Sequence, residues 1–249
     1  MANYARFASV YDQAAHRAVA REFHATLLAQ LGKKARCARA LDLGCGSGLL
    51  TLRLGAHVRE VLGLDLSEAM LAIARKRCRR LGERVRFRKA DLTRPLGVTG
   101  YDLATASGEV VNHILSPKQL GRVLANVHAA LASGGVLAFD CPTQSCYELD
   151  WNDREYGLHS PQGDLMMECT FDAKRNLATA RMTSYTRQKS GLYKKSSTLL
   201  RERYYPDEVL RAMLAAAGFR SIRRVLWSPW PEQLGQQPLD RSLWLASAV

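Results

Sequence analysis

Apolar and polar positions alternate along this chain in two distinct rhythms. Up to residue 140, short apolar runs are separated by stretches of helical periodicity. The first 35 residues carry Val19, Phe23, Leu27, Leu28 and Leu31 on one face, which predicts a helix stopped by Gly32. Ala40–Leu43 predicts a first strand, followed by a Gly-rich turn and a helix over LLTLRLGAH. Val61–Leu64, ending at Asp65, predicts a second strand. Ser67 is placed to cap the helix EAMLAIARKRCRRLG, and Gly82 to end it. Val85–Ala90 predicts a third strand, ending at Asp91. Its apolar Val85 and Phe87 alternate with Arg86 and Arg88, the pattern of an edge strand with one wet face. Tyr101–Ala106 is a fourth strand. Ser116-Pro117-Lys118-Gln119 then opens a helix running to about Leu131, and Val136–Asp140 is a fifth strand.

Strands and helices in strict alternation predict βαβ units and a doubly wound parallel sheet. Past residue 140 the period shortens. LMMECTFD, LATARMTSYTRQ and STLLRERYY are separated by turns at Asp172–Asn176 and Ser190-Gly191, which predicts an antiparallel insert over about 144–205. A helix over Asp207–Ala217 and strands over Ser221–Trp227 and Ser242–Val249 close the chain. The expected organisation is one domain over 1–249, a helical N-terminal cover over 1–35, and the insert as a lid or dimer subdomain.

The chemistry concentrates at strand ends. The turn Asp42-Leu43-Gly44-Cys45-Gly46-Ser47-Gly48 leaves the first strand where open α/β sheets bind ligands. Its glycines allow positive φ and close approach of backbone to a ligand. Asp65 ends the next strand, the expected place for an acid that accepts from ribose hydroxyls. Asp91 repeats the arrangement on the third strand. A dinucleotide fingerprint needs a third Gly or Ala where this chain has Leu49, so pyrophosphate binding is disfavoured. No Gly-Lys-Ser/Thr triplet of a Walker A loop occurs.

With ALDLGCGSGLLT (40–51), VLGLDLSEAML (61–71), RKADLTRP (88–95), YDLATASGEVVNHI (101–114), GGVLAFDCPT (134–143) and AAAGFRSIR (215–223), the chain resembles the class I S-adenosylmethionine-dependent methyltransferases. The resemblance implies a Rossmann-like seven-stranded sheet of order 3-2-1-4-5-7-6 with the last strand antiparallel. It implies S-adenosylmethionine as cofactor. The backbone of Gly44, Cys45, Gly46 and Gly48 would lie against its methionyl part and ribose. Asp42 would orient that loop and the methionyl ammonium, and Asp65 would accept from both ribose hydroxyls. Met70 or Leu66 would pack on the adenine. Asp91 would accept from the adenine amino group, and the Leu92 amide would donate to the ring. Ser107 would sit near the ammonium. Tyr11 would reach the methionyl carboxylate, or be simply half-buried against the sheet.

Methyl transfer from a sulfonium is an in-line displacement, for which the protein supplies alignment and exclusion of water. A base is needed only if the acceptor arrives protonated. His113 is the candidate base, or a cap of its short helix. Glu109 is a second candidate, or a binder of a substrate ammonium. Tyr147, Trp151 and His159 open the insert. The motifs of exocyclic-amine and DNA cytosine methyltransferases are absent. Cys141-Pro142 follows the fifth strand, and an unreactive buried thiol is the plainer account of it.

Charge changes the picture less than its size suggests. The 249 residues carry a formal net charge of +13, which invites a nucleic-acid reading. The densest basic run, Arg75 to Lys89, falls on the second helix and edge strand, away from the expected methyl group. A second basic group (Arg187, Lys189, Lys194, Lys195) surrounds the Ser190-Gly191 turn. Six cysteines show no zinc spacing, so reduced thiols in a cytoplasmic protein and no metal are expected. No run of 18 uncharged apolar residues points to a membrane span. The layout most resembles that of bacterial small-molecule N- or O-methyltransferases, which implies a small-molecule substrate and a monomer or homodimer. An RNA-directed methyltransferase and a non-catalytic cofactor-binding homologue are the alternatives.

Overall fold

The computed structural model describes residues 14–32, 38–160, 163–230 and 240–249. The expected alternation is present. Helix α1 (Ala14–Leu31) precedes β1 (Arg39–Leu43), α2 (Leu49–Leu54), β2 (Glu60–Asp65), α3 (Glu68–Cys78), β3 (Val85–Lys89), β4 (Tyr101–Ala106), α4 (Pro117–Ala130) and β5 (Leu131–Pro142). An insert follows: α5 (Gln144–Asp150), β6 (Arg154–Ser160), β7 (Gly163–Asp172), β8 (Leu177–Arg187) and β9 (Tyr193–Arg203). Then come α6 (Asp207–Ala216), β10 (Arg220–Trp227) and β11 (Arg241–Ser247). The main sheet has the order β3-β2-β1-β4-β5-β11-β10. β11 is antiparallel to both neighbours. This is the doubly wound order that the resemblance implied, with β11 and β10 as its seventh and sixth strands.

Both faces of the sheet are covered, so its central strands are apolar on both sides. On one face Ala40, Leu243 and Leu245 meet Phe23 and Leu27 of α1 and Leu50 and Leu54 of α2. On the other, Leu41, Leu43, Trp244 and Ala246 meet Leu120, Val123 and Val127 of α4 and Leu210 and Leu214 of α6. Phe23 packs edge-on against Trp227 at 5.9 Å. β3 is the edge that its alternation predicted: Val85 is buried while Arg86, Arg88 and Lys89 are exposed.

Two departures from the sequence reading have physical causes. β5 begins at Leu131, not Val136, because the backbone of Gly134 and Gly135 pairs with Ala248 (2.8 Å each) and extends the ladder. The insert is a four-stranded sheet of order β6-β7-β8-β9, one strand and one helix richer than expected. β6 is a sheet edge on which, over residues 154–159, only Tyr156 and Leu158 are half-buried among exposed residues, too few apolar positions to show a period. α5 is capped by Thr143, whose hydroxyl accepts from the Cys146 amide at 3.2 Å. Leu165, Cys169, Ala180, Met182 and Leu200 form the insert's own small core.

Candidate active site

The end of β1 and the end of β2 build one half of the site. Gly44 takes φ 61 and Gly48 takes φ 81. A side chain at Gly44 would meet Val110 at 2.6 Å, and one at Gly48 would meet Ala74 at 2.9 Å. The first glycine therefore lets the loop after β4 close on the turn, and the second lets α2 pack on α3. Asp65 holds the turn: its Oδ2 accepts from the Gly46 amide at 2.8 Å and its Oδ1 from the Ser67 amide at 2.7 Å. The Leu66 amide bonds it too, and since a carboxylate has about four lone-pair sites, its remaining acceptor capacity faces outward for a ribose hydroxyl. Burial pushes the Asp65 carboxyl up, while the amides of Ser67 and Gly46 oppose that.

Asp42 is 2% exposed and faces inward. Thr51 donates to its Oδ2 at 2.5 Å and Thr105 to its Oδ1 at 3.0 Å, tying α2, β1 and β4 together behind the turn. Burial pushes its carboxyl up to about 6 against those bonds. Both oxygens are bonded within the fold, so Asp42 acts on the loop from behind. Cys45 contributes backbone: its amide donates to the Leu64 carbonyl at 3.0 Å, and its thiol is buried and pushed far up by desolvation. Leu66 is 40% exposed and Met70 is 2% exposed, so Leu66 is the one of the two presented to a ligand. Asp91 accepts from the hydroxyl and the amide of Thr93 (2.7 and 2.9 Å), which holds its carboxyl below the usual range. The Leu92 carbonyl accepts from Asn126 at 2.9 Å. Tyr11 lies outside the described residues.

Arg77 of α3, which no sequence signal marked, donates to the Ser47 carbonyl (2.5 Å) and hydroxyl (2.7 Å). It braces the glycine turn from the outside.

The second half lies at the ends of β4 and β5. Ser107 and Gly108 lead out of β4, and the Gly108 amide donates to Asp140 Oδ1 at 2.8 Å. Glu109 follows with φ 61, unusual for a residue with a side chain. It is held there by Arg241 at the start of β11, whose Nη1 lies 2.5 Å from Glu109 Oε1. Arg241 also grips Asp140 through Nη2 (2.7 Å) and Nε (2.8 Å). Burial alone would raise the Glu109 carboxyl, but the charge of Arg241 overrides it and holds the group below its usual range. Glu109 is thus an ionised, partly exposed carboxylate and a poor base at neutral pH.

His113 is about a quarter exposed, with Nδ1 3.8 Å from Glu202 Oε1. Burial lowers its pKa, opposed by the Glu109 charge and by its hydrogen bond to the Arg201 carbonyl. It is therefore a neutral imidazole near pH 7, the form that can take a proton. Tyr147 of α5 donates to Glu202 Oε2 at 2.8 Å. The insert is stitched to this loop. The Arg203 amide donates to the Asn112 carbonyl (2.8 Å), Asn112 Nδ2 returns to the Arg203 carbonyl (2.9 Å), and Arg203 Nε reaches the Leu115 carbonyl (2.7 Å).

Sequence reasoning assigned no role to Arg241, Asp140 or Glu202, and placed Tyr147 only among the aromatics that open the insert. Two signals were present. Asp140 ends a strand as Asp65 does. Glu202 lies two residues after buried Leu200 in β9, so strand alternation turns it inward. Cys141, Cys146 and Cys169 are free buried thiols with raised pKa values, unsuited to nucleophilic attack. A cleft of ≈ 390 Å³ lined by Gln30, Val136, Arg223 and Ser247 opens at the other end of the sheet, away from these groups.

Comparison with known proteins agrees with this architecture. A family model described as a methyltransferase domain matches residues 40–135. A demethylmenaquinone methyltransferase of Thermus thermophilus is 31% identical over 191 residues, covering 74% of this chain and 75% of that protein. A protein of Geobacillus named as a methyltransferase is 27% identical over 221 residues, covering 87% and 88%. The structure of an S-adenosylmethionine-dependent methyltransferase from Clostridium acetobutylicum superimposes with a TM-score of 0.82 at 21% identity, over 98% of each chain.

Proposed function

The chain belongs to the class I S-adenosylmethionine-dependent methyltransferases, and from that premise we propose that it methylates an N or O of a small molecule. The cofactor supplies a methyl group already activated on a sulfonium, so this chain's residues bind, align and exclude water. The Gly44–Gly48 turn and Asp65 fit that ligand: a backbone cradle closed by Val110 and a carboxylate fixed by three backbone amides with acceptor capacity to spare. Gly44, Cys45, Gly46 and Gly48 would present backbone. Leu66 would cover the adenine, with Asp91 and the Leu92 amide at its polar edge and Ser107 near the methionyl ammonium.

On the acceptor side His113 removes a proton where the acceptor carries one. Glu109, kept ionised by Arg241, favours positive charge developing at the acceptor. The insert forms the roof through its bonds to residues 112–115, and a dimer contact is the alternative use of its outer face.

The observation that carries the reading is where the polar side chains gather. His113, Glu109, Asp140, Arg241 and Glu202 meet at the ends of β4 and β5, partly or fully buried under β9. The dense basic run instead occupies α3 and β3. β3 is three strand spacings from β4, roughly 14 Å. That arrangement favours an enclosed small acceptor over RNA. Among the described residues no helix is long and apolar enough to cross a membrane.

Calorimetry with S-adenosylmethionine, with Asp65→Ala as control, tests the cofactor half. S-adenosylhomocysteine release in the presence of amines, phenols and RNA tests the acceptor half. Turnover with RNA alone would overturn the small-molecule reading, and no turnover on any panel beside tight cofactor binding would favour a non-catalytic homologue.

A further inference from the structure

Glu202 is a buried ionisable group for which methyl transfer by His113 and Glu109 has no direct use. It is 1% exposed. Tyr147 donates to one of its oxygens at 2.8 Å, and His113 Nδ1 stands 3.8 Å from the other. The charges around it come from three elements: Glu109 and His113 after β4, Asp140 on β5 and Arg241 on β11. The nearby phenol and thiols, Tyr147, Cys141, Cys146 and Cys169, are all pushed up and neutral. Arg241 is the one guanidinium in this group, and it already faces both Glu109 and Asp140. Among the described residues Glu202 therefore has no guanidinium or ammonium of its own, and a buried carboxyl in that position keeps a proton. Burial and the Glu109 charge hold it well above the usual carboxylate range, with the Tyr147 hydroxyl pulling the other way.

We propose that Glu202 and His113 form one proton-sharing pair, in which Glu202, delivered by the insert, is a positioning residue for the imidazole that acts on the acceptor. The proposal rests on the reading of His113 as the base. At rest Glu202 is the carboxylic acid and His113 the neutral imidazole. As the acceptor attacks, the S–C bond breaks with its electron pair going to sulfur, and the new bond to the methyl carbon forms. The acceptor's proton passes to His113. The imidazolium stabilises the Glu202 carboxylate, whose proton leaves to water. Transfer of the remaining proton from His113 back to Glu202 restores the resting pair. One methyl is moved and one proton released per turnover, as methylation of a protonated acceptor requires. The two-way bond between Asn112 and Arg203 keeps the two side chains at this separation.

The test is an NMR titration of the His113 ring in the full-length protein with S-adenosylhomocysteine present. A coupled pair titrates in two steps that both partners report. The wild type is expected to show two inflections in the His113 signal and Glu202→Gln only one. Gln can still accept from Tyr147. Should that variant fail to fold, Tyr147→Phe decides: losing the hydroxyl that favours the carboxylate moves the upper inflection higher by about one pH unit. A single inflection in the wild type, or two that neither variant alters, overturns the pair. Turnover separates the underlying reading. With an acceptor found in the panel, His113→Gln at the wild-type rate refutes the base itself. Loss of rate in His113→Gln beside an unchanged kcat and pH profile in Glu202→Gln refutes only the role of Glu202. The expected result for Glu202→Gln is about a tenfold fall in kcat with little change in KM.

Discussion

The two halves of the site are held together over very different distances along the chain. In the nucleoside half, Asp65 bonds Ser67 two residues on and Gly46 nineteen residues back, and Asp42 bonds Thr51 nine residues on. In the acceptor half, Arg241 bonds Asp140 across 101 residues, Asn112 bonds Arg203 across 91, and Tyr147 bonds Glu202 across 55. The first half is mostly a local device, a strand end, a turn and a capped helix, with Thr105 of β4 reaching Asp42 from 63 residues away. The second exists only when the insert and the last strand have docked. The chemistry differs in the same way. The first half offers mainly backbone and one carboxylate with lone pairs to spare, suited to a cofactor that is always the same. The second offers ionisable side chains whose charges depend on one another, suited to an acceptor that differs between relatives.

The largest effect expected is in the acceptor half. Arg241→Ala leaves Glu109 and Asp140 facing each other without a cation, and should lower stability by about 3–5 kcal/mol, read as a fall in melting temperature. The comparison predicts that protein which still folds retains cofactor affinity. If calorimetry shows affinity lost as fully as in an Asp65 variant, the halves are not separable.

Asp65→Ala removes a carboxylate proposed to take two hydroxyls, and should weaken S-adenosylmethionine binding by about 3 kcal/mol, at least a hundredfold. The pH dependence of melting also has a contribution from outside both halves. His24 of α1 is buried beside His57 and has a pKa lowered to about 4, first by desolvation and then by the charges of His57 and Arg53. Its neutral form is the one that fits the fold. The stability it allows is present above pH 6.5 and is lost as pH falls toward 4, by about 2 kcal/mol. His24→Leu should flatten the melting-temperature curve between those limits, and an unchanged slope would place the acid sensitivity elsewhere. The smallest effect is local to the turn. Thr51→Val deletes one of the two hydroxyl bonds to buried Asp42 and should cost about 1 kcal/mol in denaturant unfolding. A larger penalty in cofactor binding than in stability would show that Asp42 acts on the ligand as well as on the loop.

How much of this was legible follows from chain separation. The sheet order, the edge position of β3 and the strand-end acids could be read because each depends on periodicity or on a motif within about twenty residues. β6 could not, since an exposed edge strand has little apolar period to show. Arg241 reads in the sequence as one more cation among many, and Glu202 as the acid of an Arg-Glu-Arg triplet. Nothing nearby in the chain tells that both are buried.

The sequence by itself determined the doubly wound fold, the glycine turn and the acid that closes it, because the hydrogen bonds of Asp65 come from residues within about twenty positions. It also carried a net charge of +13, which says little about the reaction, since the densest basic run lies on the edge strand and the helix before it. Only the tertiary structure decided which ionisable groups gather at the ends of β4 and β5 and in what protonation state. Those pKa shifts arise from burial and from charges brought within a few ångströms by strands far apart in the chain.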